Sequence, residues 1–270
     1  VGVFPIIRRL LQRLETLQRS VQRFGEGDLS VRVSEQGQDE VADLARQFNA
    51  AAARIEALVK THKSLLANAS HELRSPLTRI RMGLELMGGN QPSPAFREEI
   101  LRNIAELDQL VDEILLASRL DAREADVGTV ELVDLIGLAA EECARVDAEL
   151  DVTAVPEGLE VRGVAKLLRR ALRNLLENAR RYSQGDITVV LQRHDGQAQL
   201  SVLDRGPGVP PALRERIFEP FYRLPGASER AGGVGLGLAL VRSIAQRHNG
   251  SVRCEDQPDG SGGACFVLRL

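Results

Sequence analysis

The feature that most constrains this fold is an apolar seam that continues near the heptad period from residue 41 to about residue 87. One helix over this segment would be roughly 70 Å long, at about 1.5 Å per residue. A helix of that length with a single apolar stripe needs partner helices to cover the stripe. The seam consists of Val41, Leu44, Phe48, Ala51 or Ala52, Ile55, Leu58 or Val59, Leu65 or Leu66, Ala69 and Leu73. The sequence therefore predicts a long helix that belongs to a coiled coil or bundle.

A second helix is predicted to fold back along the end of the long one. Residues 88–94 read Gly-Gly-Asn-Gln-Pro-Ser-Pro, a composition typical of turns. Apolar residues then recur at helical steps until Leu120, namely Ile100, Ile104, Leu107, Val111, Ile114 and Leu115. Two helices leave apolar positions uncovered, whereas a second copy completes a four-helix bundle around a twofold axis. We therefore predict a homodimer.

The N-terminal residues predict an amphipathic helix from Pro5 to about Phe24, which the glycine-rich residues 25–28 end. Apolar residues up to Ile7 are followed by Arg8 and Arg9, as expected just inside a membrane. A soluble helix with two surface arginines explains this pattern equally well. Since the chain has no run of about 20 apolar residues, we expect a membrane anchor only upstream of residue 1.

From about residue 129 the pattern changes to short strands and helices. We predict strands at 129–132, 159–163, 187–193, 197–203, 251–255 and 264–270, and helices at 133–150, 164–182 and 236–248. Helices and antiparallel strands in this arrangement predict an α+β layer, with helices on one face of a mixed sheet.

Composition excludes several classes of function. A net charge of -3 without a basic block, 3% aromatic residues and no Trp argue against binding of nucleic acid. The three cysteines have no CxxC or metal-ligand spacing, so neither a disulfide framework nor a zinc site is indicated.

The first string that indicates chemistry runs from Ser70 to Thr78, in the middle of the long helix. Here Glu72 can hold or take the proton of one ring nitrogen of His71 while the other nitrogen attacks phosphorus. Pro76 removes one N–H from the helix beside them. A His-Glu pair on a helix is, by itself, more often a solvated surface pair.

Two further strings indicate a nucleotide site. Asn174 and Asn178 lie four residues apart on one helix face, where amide oxygens can hold hydrated Mg²⁺ and phosphates, although two surface amides would show the same spacing. Glycines near 206 and 235 would let the backbone approach phosphates, and a buried Asp204 could accept a hydrogen bond from the adenine amine. A dinucleotide fold is not indicated, because no βαβ context and no Walker A lysine accompany the glycines.

Together these strings resemble the phosphoacceptor box, the N box and the glycine boxes of sensor histidine kinases, with residues 218–223, Phe-Glu-Pro-Phe-Tyr-Arg, resembling the F box. The resemblance implies a HAMP linker at about 1–54, a dimerisation and histidine phosphotransfer (DHp) hairpin at 55–122, and a catalytic ATP-binding domain of the GHKL (Bergerat) type at 129–270. The fold class it implies is multidomain: an all-α parallel coiled-coil linker and a dimeric four-helix bundle, followed by an α+β sandwich.

The resemblance also implies roles for residues. His71 would be the phosphoacceptor, and Glu72 and Ser75 would orient water for removal of phosphate from a partner. Asn178 would be the Mg²⁺ ligand. The residues implied to bind the cofactor are Asn174, Asn178, Arg181, Tyr182, Asp204, Gly206, Gly208, Gly233, Gly235, Leu236, Gly237 and Leu238. Two positions depart from the family pattern, since Arg181 stands where Lys is common and Ser75 where Thr or Asn is common.

The function implied is an ATP- and Mg²⁺-dependent kinase that phosphorylates its own His71 and passes the phosphoryl group to an aspartate of a response regulator. Its expected location is the cytoplasmic face of the bacterial inner membrane. One alternative is a GHKL ATPase without phosphotransfer, whose turnover would be indifferent to His71. Another is a coiled-coil scaffold with a vestigial nucleotide pocket, which would show no labelling from ATP.

Overall fold

The computed structural model of the chain describes residues 3–86, 93–121, 128–183, 185–225, 234–260 and 262–270. It divides into two compact units, Val1–Ala67 and Asn68–Leu270. The helical region contains α1 (Val3–Gly25), α2 (Glu40–Leu86) and α3 (Pro94–Asp121). None of the described helices combines the length and the apolar composition that a membrane crossing requires.

In the first unit, a connector joins α1 to the start of α2. The rings of Phe24 and Phe48 meet edge to face, with 5.7 Å between their centroids. The backbone of Val33 is held by Asn49, whose Oδ1 accepts from Val33 N at 2.9 Å and whose Nδ2 donates to Val33 O at 2.8 Å. The side chain of Asn49 on α2 thus satisfies both the backbone donor and the backbone acceptor of Val33 in the connector.

In the second unit, the later part of α2 and α3 form the predicted helical hairpin. Phe96 packs its ring over Gly83, where an added Cβ would come within 2.5 Å of the ring. Arg79 donates to Asn103 Oδ1 at 2.8 Å and to Glu106 Oε2 at 2.7 Å, which fixes the register of the two helices. Most of the predicted turn lies outside the described residues, and its last residue, Pro94, is instead the first residue of α3.

The C-terminal region is a mixed α/β layer. Its elements are β1 (Glu131–Asp134), α4 (Leu135–Val146), β2 (Glu149–Asp151), β3 (Glu160–Gly163), α5 (Ala165–Tyr182), β4 (Thr188–His194), β5 (Gln197–Leu203), α6 (Gly237–Arg247), β6 (Ser251–Asp256) and β7 (Ala264–Arg269). Strands β1 and β3 pair as an antiparallel ribbon, and the main sheet has the order β2-β4-β5-β7-β6. Only the β2–β4 pair is parallel among the described strands. The predicted fold class, a helical region followed by a mixed α/β region, is confirmed.

Two predicted elements of this region were wrong in their bounds. The helix predicted over 133–150 ends at Val146, because Asp147 adopts the left-handed conformation (φ 57°) and its N–H bonds to Cys143 O. The residues after it form β2, an edge strand of three residues that is too short to show alternation. The first strand also begins two residues later than predicted, at Glu131.

The core of this region lies where α4 and α6 each pack against α5, and where the three helices pack against strands of the sheet. Helix α5 is amphipathic, and its apolar side is almost completely buried, with Leu172 and Leu175 both 0% exposed. Each such leucine contributes roughly 1.5–3 kcal/mol of hydrophobic stabilisation. The same burial leaves the other side of α5 free to present polar side chains.

Helices α4 and α5 are also joined by a buried carboxylate. Glu142, with its side chain 2% exposed, accepts two hydrogen bonds from Arg173, both at 2.9 Å, and one from Arg169 at 3.2 Å. The hydrogen bonds from Arg173 hold the pKa of this carboxyl below its ordinary value.

Candidate active site

The described residues of the second unit enclose a cavity of about 360 Å³, within the size range of small-molecule sites. Its walls come from α5, the loop after β5, the segment between residues 217 and 224, the start of α6, and α3 of the hairpin. Nine of the predicted cofactor-binding residues line it: Asn174, Asn178, Arg181, Tyr182, Asp204, Gly208, Gly235, Gly237 and Leu238.

Helix α5 directs its polar side into this cavity. Asn174 is buried and donates from Nδ2 to Gly237 O at 3.1 Å, which ties α5 to the first residue of α6. Asn178, one turn later, is partly exposed at the cavity wall beside Glu177. An amide oxygen and a carboxylate are hard oxygen donors, and Mg²⁺ prefers such ligands together with water. The residues present therefore fit a hydrated Mg²⁺ ion.

Asp204 lies at the other wall and is 3% exposed. Its Oδ1 accepts from Gly206 N at 2.8 Å and from Ala264 N at 3.2 Å, so the backbone fixes the orientation of the carboxylate. A Cβ on Gly206 would stand 2.7 Å from Tyr182 O. Gly206 does not line the cavity; it allows the loop to pass close to the end of α5.

The second glycine run is held against the loop that contains Phe221. Gly235 has φ 80°, and a Cβ there would lie 2.9 Å from Tyr222 O. Phe221 itself has φ 64°, a costly conformation for an aromatic residue, and its N–H donates to Gly235 O at 2.9 Å. Leu236 is fully buried and does not line the cavity, and Gly233 lies outside the described residues.

The predicted phosphoacceptor string lies on α2. His71 is exposed, and Ser75 is exposed one turn later. Glu72 accepts a hydrogen bond from Arg223 Nη2 at 3.2 Å. The helix continues through Pro76, whose side chain is buried. The described lining of the cavity includes none of the three predicted catalytic residues, so this arrangement does not place the imidazole in the cavity.

Sequence reasoning missed the part of the cavity wall that α3 supplies, which consists of Glu106, Gln109, Leu110 and Glu113. We call these four residues the α3 wall. Glu113 is 7% exposed and forms an ion pair with Arg170 of α5 at 2.9 Å. Burial raises the pKa of Glu113, and the hydrogen bond from Gln109 and the charge of Arg170 oppose that increase. The available signal was an acid on the helix face where Leu110 and Ala117 are buried.

Three family models match the chain in succession. Residues 6–57 match "HAMP domain", residues 61–123 match "His Kinase A (phospho-acceptor) domain", and residues 163–270 match "Histidine kinase-, DNA gyrase B-, and HSP90-like ATPase".

Curated relatives resemble nearly the whole chain. The sensor protein RstB of Escherichia coli (strain K12) is 36% identical over 270 residues, which are 98% of this chain and 61% of RstB. The signal transduction histidine-protein kinase/phosphatase MprB of Mycobacterium sp. (strain KMS) is 35% identical over 251 residues, 87% of this chain and 48% of MprB. The chain thus spans about half to three fifths of the length of these relatives.

Solved structures share the fold. The histidine kinase AdeS of Acinetobacter baumannii has a TM-score of 0.61 at 23% identity, covering 74% of this chain and 96% of that chain. The histidine kinase ThkA, in complex with response regulator protein TrrA, has a TM-score of 0.62 at 22% identity, covering 86% of this chain and 67% of that chain. At these identities the likeness concerns the fold alone.

Proposed function

We propose that this chain, which belongs to the family of sensor histidine kinases, is an ATP-dependent kinase that phosphorylates its own His71. The observation that carries the proposal is that one compact unit contains both an exposed imidazole at His71 and a cavity lined by Asn178 and Asp204. The domain boundaries we propose are 1–54, 55–122 and 129–270, for the linker, the hairpin and the ATP-binding domain.

In this proposal ATP binds in the cavity with its adenine amine donating to Asp204 and its ring beside Tyr182. Asn174 and Arg181 lie near the phosphates, and Asn178 would hold Mg²⁺. When bound, Mg²⁺ would neutralise charge on the phosphates. The glycines of both runs let the backbone approach the nucleotide.

The phosphoryl step uses the imidazole as nucleophile. A ring nitrogen of His71 forms a bond to the γ-phosphorus, the bond from this phosphorus to the β,γ-bridging oxygen breaks, and ADP leaves. The proton on the other ring nitrogen is held by Glu72 and is released to solvent. Because His71 does not line the cavity in the arrangement described, the ATP-binding domain must reorient before transfer.

We further propose that phosphohistidine donates to an aspartate of a response regulator. The structure of ThkA with response regulator protein TrrA supports a partner of this class. The kinase/phosphatase designation of MprB supports a second activity, in which Glu72 and Ser75 orient water toward the partner's phosphoaspartate. If Ser75→Ala released phosphate from the partner as fast as the parent, this role of Ser75 would be wrong.

We also propose a homodimer that is anchored to a membrane upstream of residue 1, at its cytoplasmic face. Helix α3 carries an exposed apolar stripe at three-, four- and seven-residue steps: Leu101, Ile104, Val111 and Leu115 are between 41% and 57% exposed. Leu77 and Leu84 on α2 are 53% and 50% exposed. A second copy of the hairpin would cover both stripes in a four-helix bundle.

The experiment that tests the kinase assignment is transfer of label from [γ-³²P]ATP to the protein. We expect the parent to be labelled and His71→Gln to be unlabelled. His194→Gln is the matched control, because His194 is also exposed but lies in the β4–β5 hairpin. Equal labelling of the parent and His71→Gln would contradict the proposal, and ATP turnover that is indifferent to His71 would favour an ATPase without phosphotransfer.

A further inference from the structure

The α3 wall places part of the phosphotransfer hairpin against the nucleotide cavity. Leu110, 2% exposed, and Glu113, 7% exposed, are more buried here than most of α3. Glu106 is held within the hairpin by Arg79 at 2.7 Å, so its charge is compensated there. Glu113 is therefore the carboxylate of α3 that bonds across to the ATP-binding domain.

Glu113 accepts one hydrogen bond from Arg170, so the ion pair is not bidentate. Arg170 Nη2 donates to Glu113 Oε1 at 2.9 Å, and Gln109 Nε2 donates to the same oxygen at 3.1 Å. Arg170 Nε is buried and has no hydrogen-bond partner among the described residues. A bidentate pair would have satisfied this nitrogen as well. The contact therefore joins the hairpin to the ATP-binding domain without satisfying every buried nitrogen of Arg170.

A second contact joins the same two parts. Arg223, in the loop that follows Phe221, donates to Glu72 beside His71 at 3.2 Å. Both ends of this pair are about one third exposed, so solvent screens it and it contributes little stability. Arg223 also lines the cavity, which connects the carboxylate next to His71 with the nucleotide pocket.

We propose that Glu113 makes docking of α3 on the ATP-binding domain and binding of a nucleoside triphosphate oppose each other. The proposal rests on the proposed function, because it assumes that the cavity takes ATP. Glu113 lines the same cavity as Arg181, so its negative charge and that of a polyphosphate would act on the same guanidinium.

The charges around Glu113 give the physical reason. Arg170 and Arg181 favour its ionised form, whereas Glu177 disfavours it. Arg181 is the arginine that we place at the phosphates, and one guanidinium cannot neutralise both Glu113 and a polyphosphate. A γ-phosphate adds charge that ADP lacks, so ATP should oppose docking more strongly than ADP does. Because such coupling is reciprocal, docking of α3 must lower the affinity for ATP by the same factor by which bound ATP lowers the equilibrium constant for docking.

The docked arrangement therefore belongs to the nucleotide-free or ADP-bound protein. ATP binding releases α3, which frees Arg223 from Glu72 and lets the ATP-binding domain approach His71. After transfer, ADP permits α3 to dock again.

The test is a calorimetric titration of the full 270-residue chain with ATP or ADP in the presence of Mg²⁺. The His71→Gln background prevents phosphoryl transfer during the measurement. We expect Glu113→Gln to tighten ATP binding about five- to twenty-fold and ADP binding less than about threefold. Asp112→Asn is the matched control, since it removes the same charge from the neighbouring, exposed position of α3 and should change neither Kd.

The outcomes separate this proposal from the proposed function. If both the background protein and Glu113→Gln bind ATP with the same Kd, the function stands and the antagonism is wrong. The antagonism is also wrong if Glu113→Gln lowers the Kd for ATP and the Kd for ADP by the same factor. If neither protein binds ATP, the proposed function fails. Hydrogen exchange gives a second readout, because ATP but not ADP should speed exchange in residues 103–117 of the background protein, and this segment should exchange fast in Glu113→Gln without nucleotide.

Discussion

The ATP-binding region and the helical region bury their apolar residues to very different degrees. In the former, Leu172 and Leu175 are 0% exposed, and the large apolar side chains that are exposed among the described residues are Val130, Leu132 and Tyr182. In the helical region, Leu77 is 53% and Leu101 is 57% exposed. The difference shows that the ATP-binding region closes its core within a single chain, whereas the helical region leaves apolar side chains exposed, which we propose that a second copy covers.

The largest effect should come from opening the closed core. We expect Leu175→Ala to lower the free energy of unfolding by about 3–4 kcal/mol, because removal of part of this fully buried side chain leaves a cavity in the core. Urea denaturation at two protein concentrations measures this loss, which should not depend on concentration. A loss below about 1 kcal/mol would show that the region is not closed in the way described.

A somewhat smaller loss of stability is expected when Glu142, the buried carboxylate between α4 and α5, is replaced. Glu142→Gln should cost about 3 kcal/mol near pH 7, because Arg173 would lose its charged partner and Arg169 would keep only the exposed Glu141. Glu141→Gln is the matched control; its side chain is 65% exposed, and its ion pair with Arg169 should be worth less than about 1 kcal/mol.

The stability that Glu142 contributes through its arginine partners should depend on pH, and the direction of this dependence follows from its pKa. Since the folded pKa of Glu142 is lowered, its stabilisation is fully present above the ordinary value of 4.5 and is lost as pH falls through the lowered folded value. Thermal unfolding of the parent should therefore approach that of Glu142→Gln in acid. An unchanged gap between the two proteins down to pH 2 would contradict this assignment.

For the helical region, we predict an effect on dimer formation, which depends on protein concentration. Leu101→Glu places a charge in the exposed stripe of α3 and should weaken the dimer about 100-fold or more, because the charge would be buried against the second copy. Light scattering across a dilution series measures the shift. Arg102→Glu, at the exposed neighbouring position, should leave the dimer close to the parent. A monomeric parent at micromolar concentration would contradict the account of the helical region.

The smallest predicted effect is a gain in stability, from a substitution at the end of α4. Asp147 is an exposed residue in the left-handed conformation at the end of α4. Asp147→Gly should stabilise the ATP-binding region by roughly 0.5–1 kcal/mol, because glycine adopts this conformation without strain. Asp147→Ala should instead destabilise it, and thermal unfolding of the two variants measures the difference. Equal midpoints would show that the conformation of this residue is not strained.

The sequence predicted what depends on local periodicity and on strings of adjacent residues. The seam of α2 and the alternation in β4 and β5 are local patterns, so these elements were predicted with nearly the observed bounds. Strand β2 was missed because its pairing partner lies almost 40 residues later, and nothing within three residues shows that pairing. Leu236 was predicted to bind the cofactor from its place in the glycine run, but the structure buries it completely.

The α3 wall could not have been predicted from motifs. Glu113 and Arg170 are 57 residues apart and belong to strings that carry no shared pattern. Their contact depends on how the hairpin lies against α5, which is a matter of tertiary packing. An acid on an otherwise buried helix face was the one local sign of it.

The central claim is that ATP bound in the cavity of the ATP-binding region phosphorylates one imidazole of the helical region, that of His71. The chain has four histidines, His62, His71, His194 and His248, which makes the claim directly testable. Mass spectrometry of the ATP-treated protein, digested at neutral to alkaline pH to preserve phosphohistidine, should find phosphate on His71 alone, and on no residue of Asn178→Ala. Phosphate on another histidine, or equal phosphorylation of His71 in Asn178→Ala, would contradict the account.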